Sequence, residues 1–190
     1  MKPSEVPLSV IKIGGGLSAI PGALDRVCRA VAAAGCDHRI LVVPGGGPFA
    51  DAIRDFDRTE TLAPRSAHWM AILAMDQYAH VLAERIPRAT LIDEPGAVLQ
   101  ALRPGGVTVL APFRWMRSAD VLPHTWEVTS DSIAAFVAGA LDAARLILIK
   151  PATEPLDPVD PYFVTTLPAG LPYCTLGWDQ MDELTARLSD

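Results

Sequence analysis

Two glycine triplets follow chain segments suited to strands: Gly14-Gly15-Gly16 after the apolar run 8–13, and Gly45-Gly46-Gly47 after the apolar run 40–43. Backbone N–H groups at such bends have no side chain in front of them and can close around phosphate oxygens, and a helix that follows adds the positive end of its dipole. Lys12 lies two residues before the first triplet and brings an ammonium to it. The chemistry this combination suits is the binding of phosphates and the movement of a phosphoryl group, which needs mainly positioning and charge neutralisation. The plainer reading of each triplet is a tight strand-to-helix turn.

Other residues are candidates to complete such a site. Lys2, Lys12 and Lys150 are the only lysines, and Lys150 stands where the apolar run 146–149 ends. As strand-end residues the lysines are expected to be exposed, so removing Lys12 should affect chemistry more than stability. Thr129-Ser130-Asp131 precedes the apolar stretch 132–141. Thr129 or Ser130 can cap a helix there with Asp131 in its first turn. Alternatively Asp131 faces a cleft and orients Lys12 and Lys150, and spacing leaves both readings open. Arg114 and Arg117 suit a clamp on an acceptor phosphate, because their planar donor forks match its oxygens. Arg54, Arg58 and Arg65 raise the same possibility from weaker positions. His68, Asp76 and His80 fall near one face of a long helix, and Asp51 or Asp76 is the carboxylate to meet an amine-bearing substrate. Trp69, Met70 and Met75 read as core packing.

Periodicity supplies the elements that must hold these groups. Residues 9–13, 39–43, 90–92, 107–111, 146–149 and 173–176 read as strands, and 21–34, 49–56, 67–85, 97–102, 132–141 and 181–188 as helices. This alternation predicts an α/β fold in one domain over residues 1–190, a mainly parallel sheet with helices on both faces. Ligands bind such sheets beyond the carboxyl ends of the strands, where Lys12, both triplets, residues 112–117 and Lys150 converge. Residues 151–172 hold six prolines and read as an irregular surface loop, a connector or a lid.

Composition bounds the rest. A net charge of −6 over 190 residues argues against non-selective nucleic-acid binding. No apolar run is long enough for a membrane span, and the first residues lack a signal peptide's apolar core, so a cytoplasmic protein is expected. Cys28, Cys36 and Cys174 have neither disulfide nor metal-ligand spacing, and no metal site is predicted. The apolar stretch 69–75 suggests a homo-oligomer.

Val10-Ile11-Lys12-Ile13-Gly14-Gly15, the loop Val42-Val43-Pro44-Gly45-Gly46-Gly47-Pro48, and Asp131 before Ser132-Ile133-Ala134-Ala135 together resemble the amino acid kinase family. Gly47-Pro48-Phe49-Ala50-Asp51, His68-Trp69-Met70-Ala71-Ile72-Leu73-Ala74-Met75-Asp76-Gln77 and Trp126-Glu127-Val128-Thr129-Ser130-Asp131 resemble its short branch, the aminomethylfuran phosphate kinase group of methanofuran biosynthesis. The resemblance implies a three-layer αβα sandwich, ATP and Mg²⁺ as phosphoryl donor, and a small phosphorylated acceptor, 5-(aminomethyl)-3-furanmethanol phosphate, converted to its diphosphate. It implies that Lys12 stabilises the transferred group, that Gly14, Gly15, Gly16, Gly45, Gly46 and Gly47 hold donor and acceptor phosphates, and that Asp131 organises the basic groups. Asp51, His68, Asp76, Arg114, Arg117 and Ser130 are the candidates for contact with the acceptor. After Lys150 the family's Thr-Asp-Val-x-Gly segment is replaced by a short proline-rich stretch, which implies a shortened nucleotide-binding part beyond about residue 150. The alternative function is a non-catalytic nucleotide- or phosphate-binding regulatory subunit.

Overall fold

Short β-branched and leucine-rich runs, each stopped by glycine, proline or a polar residue, become the strands of one sheet. The computed structural model describes residues 6–102, 105–151 and 158–189. Its strands are β1 (Leu8–Ile13), β2 (Arg39–Pro44), β3 (Ala89–Ile92), β4 (Val107–Leu110), β5 (Arg145–Lys150) and β6 (Tyr173–Gly177). All pair in parallel, in the order β3-β4-β2-β1-β5-β6. On one side of β1 lie β2, β4 and the edge strand β3, with β4 inserted between β2 and β3, while β5 and β6 lie on the other. The carboxyl ends of β1, β2 and β5 therefore flank the point where the order reverses, which is where an open parallel sheet forms its crevice.

The helices are α1 (Ala23–Ala34), α2 (Gly47–Glu60), α3 (Pro64–Arg85), α4 (Val98–Ala101), α5 (Phe113–Ala119), α6 (Ser130–Ala140), α7 (Phe163–Thr166) and α8 (Leu184–Ser189). Alternate residues of each strand divide the core into two layers. Ile11, Ile13, Ile40, Val42, Ile147 and Ile149 pack with α1, α8 and the second half of α3. Leu8, Val10, Leu41, Val43, Leu146 and Leu148 pack on the other face with α6. The three-layer α/β sandwich is thus as expected. Lys12 is in step with Leu8 and Val10, and Lys150 with Leu146 and Leu148, so both lysines must lie on the α6 face.

Local differences from the sequence reading have local causes. Residues 113–119 form α5, although 112–117 reads as a loop at a strand exit; the Asp76 carboxylate accepts the Phe113 N–H at 2.9 Å and holds the start of this short helix from 37 positions away. Helix α2 begins at Gly47 and runs to Glu60, past the expected 49–56, because Pro48 is well suited to its first turn and Thr61 ends it in a left-handed conformation. The proline-rich stretch contains α7, and its residues 152–157 lie outside the described residues. Of the apolar run 69–75, Trp69, Ile72 and Met75 are buried in the core and Leu73 stays exposed. No helix among the described residues is long and apolar enough to cross a membrane.

Candidate active site

The two glycine loops are packed backbone against backbone. A Cβ on Gly15 would lie 2.2 Å from Gly47 N, and one on Gly45 would lie 2.4 Å from Gly15 N, so side chains at these positions would force the loops apart. The sheet ladder continues into both loops through Gly14 N–H to Ile149 O at 2.9 Å and Gly45 N–H to Ile13 O at 2.8 Å. Those two amides are thereby occupied. Among the described residues the N–H groups of Gly15, Gly16, Gly46 and Gly47 have no backbone acceptor.

Lys12, Asp131 and Lys150 meet beside these loops. Lys12 Nζ is 2.9 Å from Asp131 Oδ1, an ion-pair contact off the axis of a regular hydrogen bond. Lys150 Nζ donates to Asp131 Oδ2 at 2.5 Å and to Pro158 O at 3.3 Å. Both lysines are only 5% exposed and Asp131 is 2% exposed, which corrects the expectation of exposed strand-end lysines: the α6 N-terminus covers them. Burial pushes the Lys12 ammonium below its ordinary range, opposed by the Asp131 charge and reinforced by Lys150. For Asp131, burial acts upward, but the Lys12 charge and the Lys150 hydrogen bond and charge outweigh it and hold the carboxyl low. Two ammonium groups share this one carboxylate, and the buried Asp160 carboxylate adds its charge nearby.

The choice between capping and orienting roles at Asp131 is resolved by other residues doing the capping. Thr129 Oγ1 accepts the Asp131 N–H at 3.3 Å. Asp160, which sequence reasoning did not select, accepts the N–H groups of Thr129 and Ser132, both at 3.0 Å. The Asp131 side chain is left for the lysines.

In front of this cluster a cleft opens between α2, α3, α6 and the loop before α6. His68 and Ser130 line it; Ile72, Met75 and Ile133 give it an apolar floor. Arg54 also lines it, its guanidinium 5.2 Å from the centre of the Trp126 ring, and Trp126 Nε1 donates to Asp57 at 2.7 Å. His68 stacks on His124 at 4.6 Å between ring centres, and burial, together with His124, lowers its pKa to about 4, so it is neutral near pH 7.

The parallel sheet agrees with what comparison with known proteins finds. The profile of the amino acid kinase family matches residues 7–151. The chain belongs to the amino acid kinase family. It is 28% identical over 141 residues to (5-(aminomethyl)furan-3-yl)methyl phosphate kinase of Methanocaldococcus jannaschii, a match covering 74% of this chain and 64% of that protein. Its fold is similar to uridylate kinase from Archaeoglobus fulgidus, with a TM-score of 0.58 and 17% identity over 78% of this chain and 64% of that one. It is also similar to aspartate kinase from Synechocystis, with a TM-score of 0.62 and 17% identity over 90% of this chain and 38% of that one.

Several side chains selected from the sequence of this amino acid kinase family member stand away from the cleft. Asp51 is exposed and pairs with Arg54 at 2.7 Å. Asp76 is directed at the start of α5. Arg114 pairs with Asp93 and Glu94 at the surface. Arg117 lies over the outer side of Trp69, 4.8 Å from the ring centre. Arg58 pairs with Asp55, and His80 is exposed on α3. Ion pairs and ring contacts between elements decide these orientations, and spacing along one element carries no signal for them. For Trp126 a signal existed: it stands in the stretch that resembles the short branch.

Proposed function

We propose that this protein is an ATP-dependent kinase that transfers a phosphoryl group to the phosphate of a small acceptor, forming a diphosphate. The carrying observation is the Asp131 carboxylate set between Lys12 and Lys150, 2.9 and 2.5 Å from their ammonium groups, at the exits of adjacent strands. A fixed pair of ammonium groups stabilises charge gathering on a transferring phosphoryl group without needing to reorganise during the reaction. In this reading Lys12 meets the moving group, Lys150 supports the neighbouring phosphate oxygens, and Asp131 keeps both ammonium groups aligned.

The residues fit a polyphosphate. The N–H groups of Gly15, Gly16, Gly46 and Gly47 are donors without a backbone acceptor and without side chains in front of them, and the two buried lysines supply ammonium groups. Among the described residues no group of three or more His, Cys, Asp or Glu side chains is arranged to hold a metal. Mg²⁺ would enter with the nucleotide as Mg·ATP and would supply charge neutralisation on its phosphates. The cleft between α2, α3 and α6 takes the acceptor, with Arg54 as its cation, Ser130 as a hydroxyl at the entrance to the cluster, and neutral His68 in its wall.

Likeness to the Methanocaldococcus jannaschii enzyme supports 5-(aminomethyl)-3-furanmethanol phosphate as the acceptor and methanofuran-type cofactor formation as the setting. The apolar floor suits a furan ring. Incubation with Mg·ATP and this phosphate, following ADP and the diphosphate product, tests the reading. Formation of both in equal amounts supports it; nucleotide binding without turnover supports a regulatory subunit instead.

A further inference from the structure

Asp160 is 8% exposed and accepts five hydrogen bonds from three residues, two at the start of α6 and one in its own segment. Oδ2 receives Thr129 N–H at 3.0 Å, Thr129 Oγ1 at 2.8 Å and Ser132 N–H at 3.0 Å. Oδ1 receives Ser132 Oγ at 2.5 Å and Tyr162 N–H at 3.0 Å. Helices are usually capped by a side chain at their own first position. Here Thr129 supplies such a cap, and the first turn of α6 is fixed in addition from 28 to 31 residues downstream, by the segment that follows β5.

That segment also touches the cluster directly, because Pro158 O accepts from Lys150 Nζ. Residues 158–162 thus hold both sides of the same arrangement, the helix that carries Asp131 and the lysine that Asp131 binds. Asp131 is two residues beyond Thr129 and one before Ser132, so it lies between the two amides that Asp160 grips. A carboxylate suits this place in a way an amide does not. Each of its oxygens meets at least one backbone N–H, which cannot reverse its polarity, and an amide would turn its own NH₂ toward one of them. The Asp160 charge also favours the protonated form of nearby Lys12.

We propose that Asp160 is a positioning residue, clamping the first turn of α6 to the segment after β5 so that the Asp131 carboxylate bridges Lys12 and Lys150. It touches neither lysine through a hydrogen bond; it acts through α6, and its charge adds to the field at Lys12. Its kinetic consequence rests on the phosphoryl-transfer reading; its structural consequence does not.

Asp160→Asn separates the two. With only Lys2, Lys12 and Lys150 in the chain, side-chain NMR of isotope-labelled lysine reports on the cluster with few signals. The expected result is that the Lys12 and Lys150 side-chain resonances move in the folded variant, while kcat falls about 10- to 100-fold with KM for both substrates within about threefold of wild type. Val31→Ala, a buried position on the opposite core layer, shows how much activity is lost through destabilisation alone, and its kcat should stay near wild type. Lysine signals unmoved in a folded Asp160→Asn protein overturn the proposal, as does a kcat equal to that of wild type when wild type turns over. Moved signals in a protein whose wild type lacks turnover uphold the clamp and reject the kinase reading alone. Should Asp160→Asn fail to fold, Ser132→Ala removes one of the five bonds and should shift the same resonances by less; unmoved resonances there overturn the proposal.

Discussion

The lysine cluster and the cleft in front of it are built on opposite principles. In the cluster, Lys12, Asp131 and Lys150 are buried and their charges are answered within about 3 Å by one another. In the cleft wall, Arg54 pairs with exposed Asp51 and lies over Trp126, and His68 rests against His124 and Trp69. A buried charge pair is strongly destabilised when one partner is removed, whereas an exposed pair contributes little. The cluster therefore joins stability to chemistry, while the wall can vary with the acceptor at small cost to the fold. Variants of the cluster should change kcat and folding together, and variants of the wall should change KM.

The largest effect is expected from Asp131→Asn. Two buried ammonium groups lose their carboxylate, and chemical denaturation near pH 7 should show a loss of about 3–5 kcal/mol with turnover abolished. A loss below about 1 kcal/mol would show that the cluster does not depend on this residue. Next comes Gly15→Ala, whose Cβ would lie 2.2 Å from Gly47 N. Because the obstructing atom is backbone, separation of the loops should cost about 1–3 kcal/mol and be visible in the same denaturation assay. Unchanged stability would mean that the close approach is not required.

Arg54→Met probes the wall. Steady-state kinetics should give a KM for the phosphorylated acceptor on the order of tenfold higher, with kcat retained and KM for ATP unaltered. A fall in kcat instead would place Arg54 with the cluster and erase the contrast. The smallest effect is that of Asp76→Asn. Burial pushes the Asp76 carboxyl up to about 6, against the hydrogen bond from Phe113 N–H. The folded protein then holds its proton more tightly than the unfolded chain, so stability falls as pH rises from the ordinary carboxylate range to about 6 and stays lowered above it. Asparagine keeps an acceptor without the charge, and thermal scans at pH 8 should show Tm higher by about 2–4 °C, the gain shrinking as pH is lowered below 6. A gain independent of pH would contradict that account of Asp76.

The same contrast explains what could be read from the sequence. Lys12 and Lys150 were legible because strand period fixes their face and a glycine or proline fixes where the strand stops. Asp131 was legible as a residue at a helix start, and only its partners remained open. Asp160 carried no such mark, since its bonds to Thr129 and Ser132 cross 28 to 31 positions and no periodicity connects them. Its surroundings, rich in proline, suggested only a loop. Helix α5 was hidden for a related reason: it spans seven residues and is held by Asp76 from another helix. Arg114 and Arg117 look like a phosphate clamp along the chain, yet in space acidic residues of the segment after β3 hold the first and the Trp69 ring the second.

Phosphoryl transfer by Lys12→Met, compared with wild type in the same Mg·ATP and furan phosphate assay, tests the central claim most directly. Lys150 still answers Asp131 in this variant, so the protein should still fold, at reduced stability, while kcat falls by about 10²- to 10³-fold. A folded Lys12→Met protein whose kcat stays within a few-fold of wild type would contradict the assignment of this ammonium to the moving phosphoryl group.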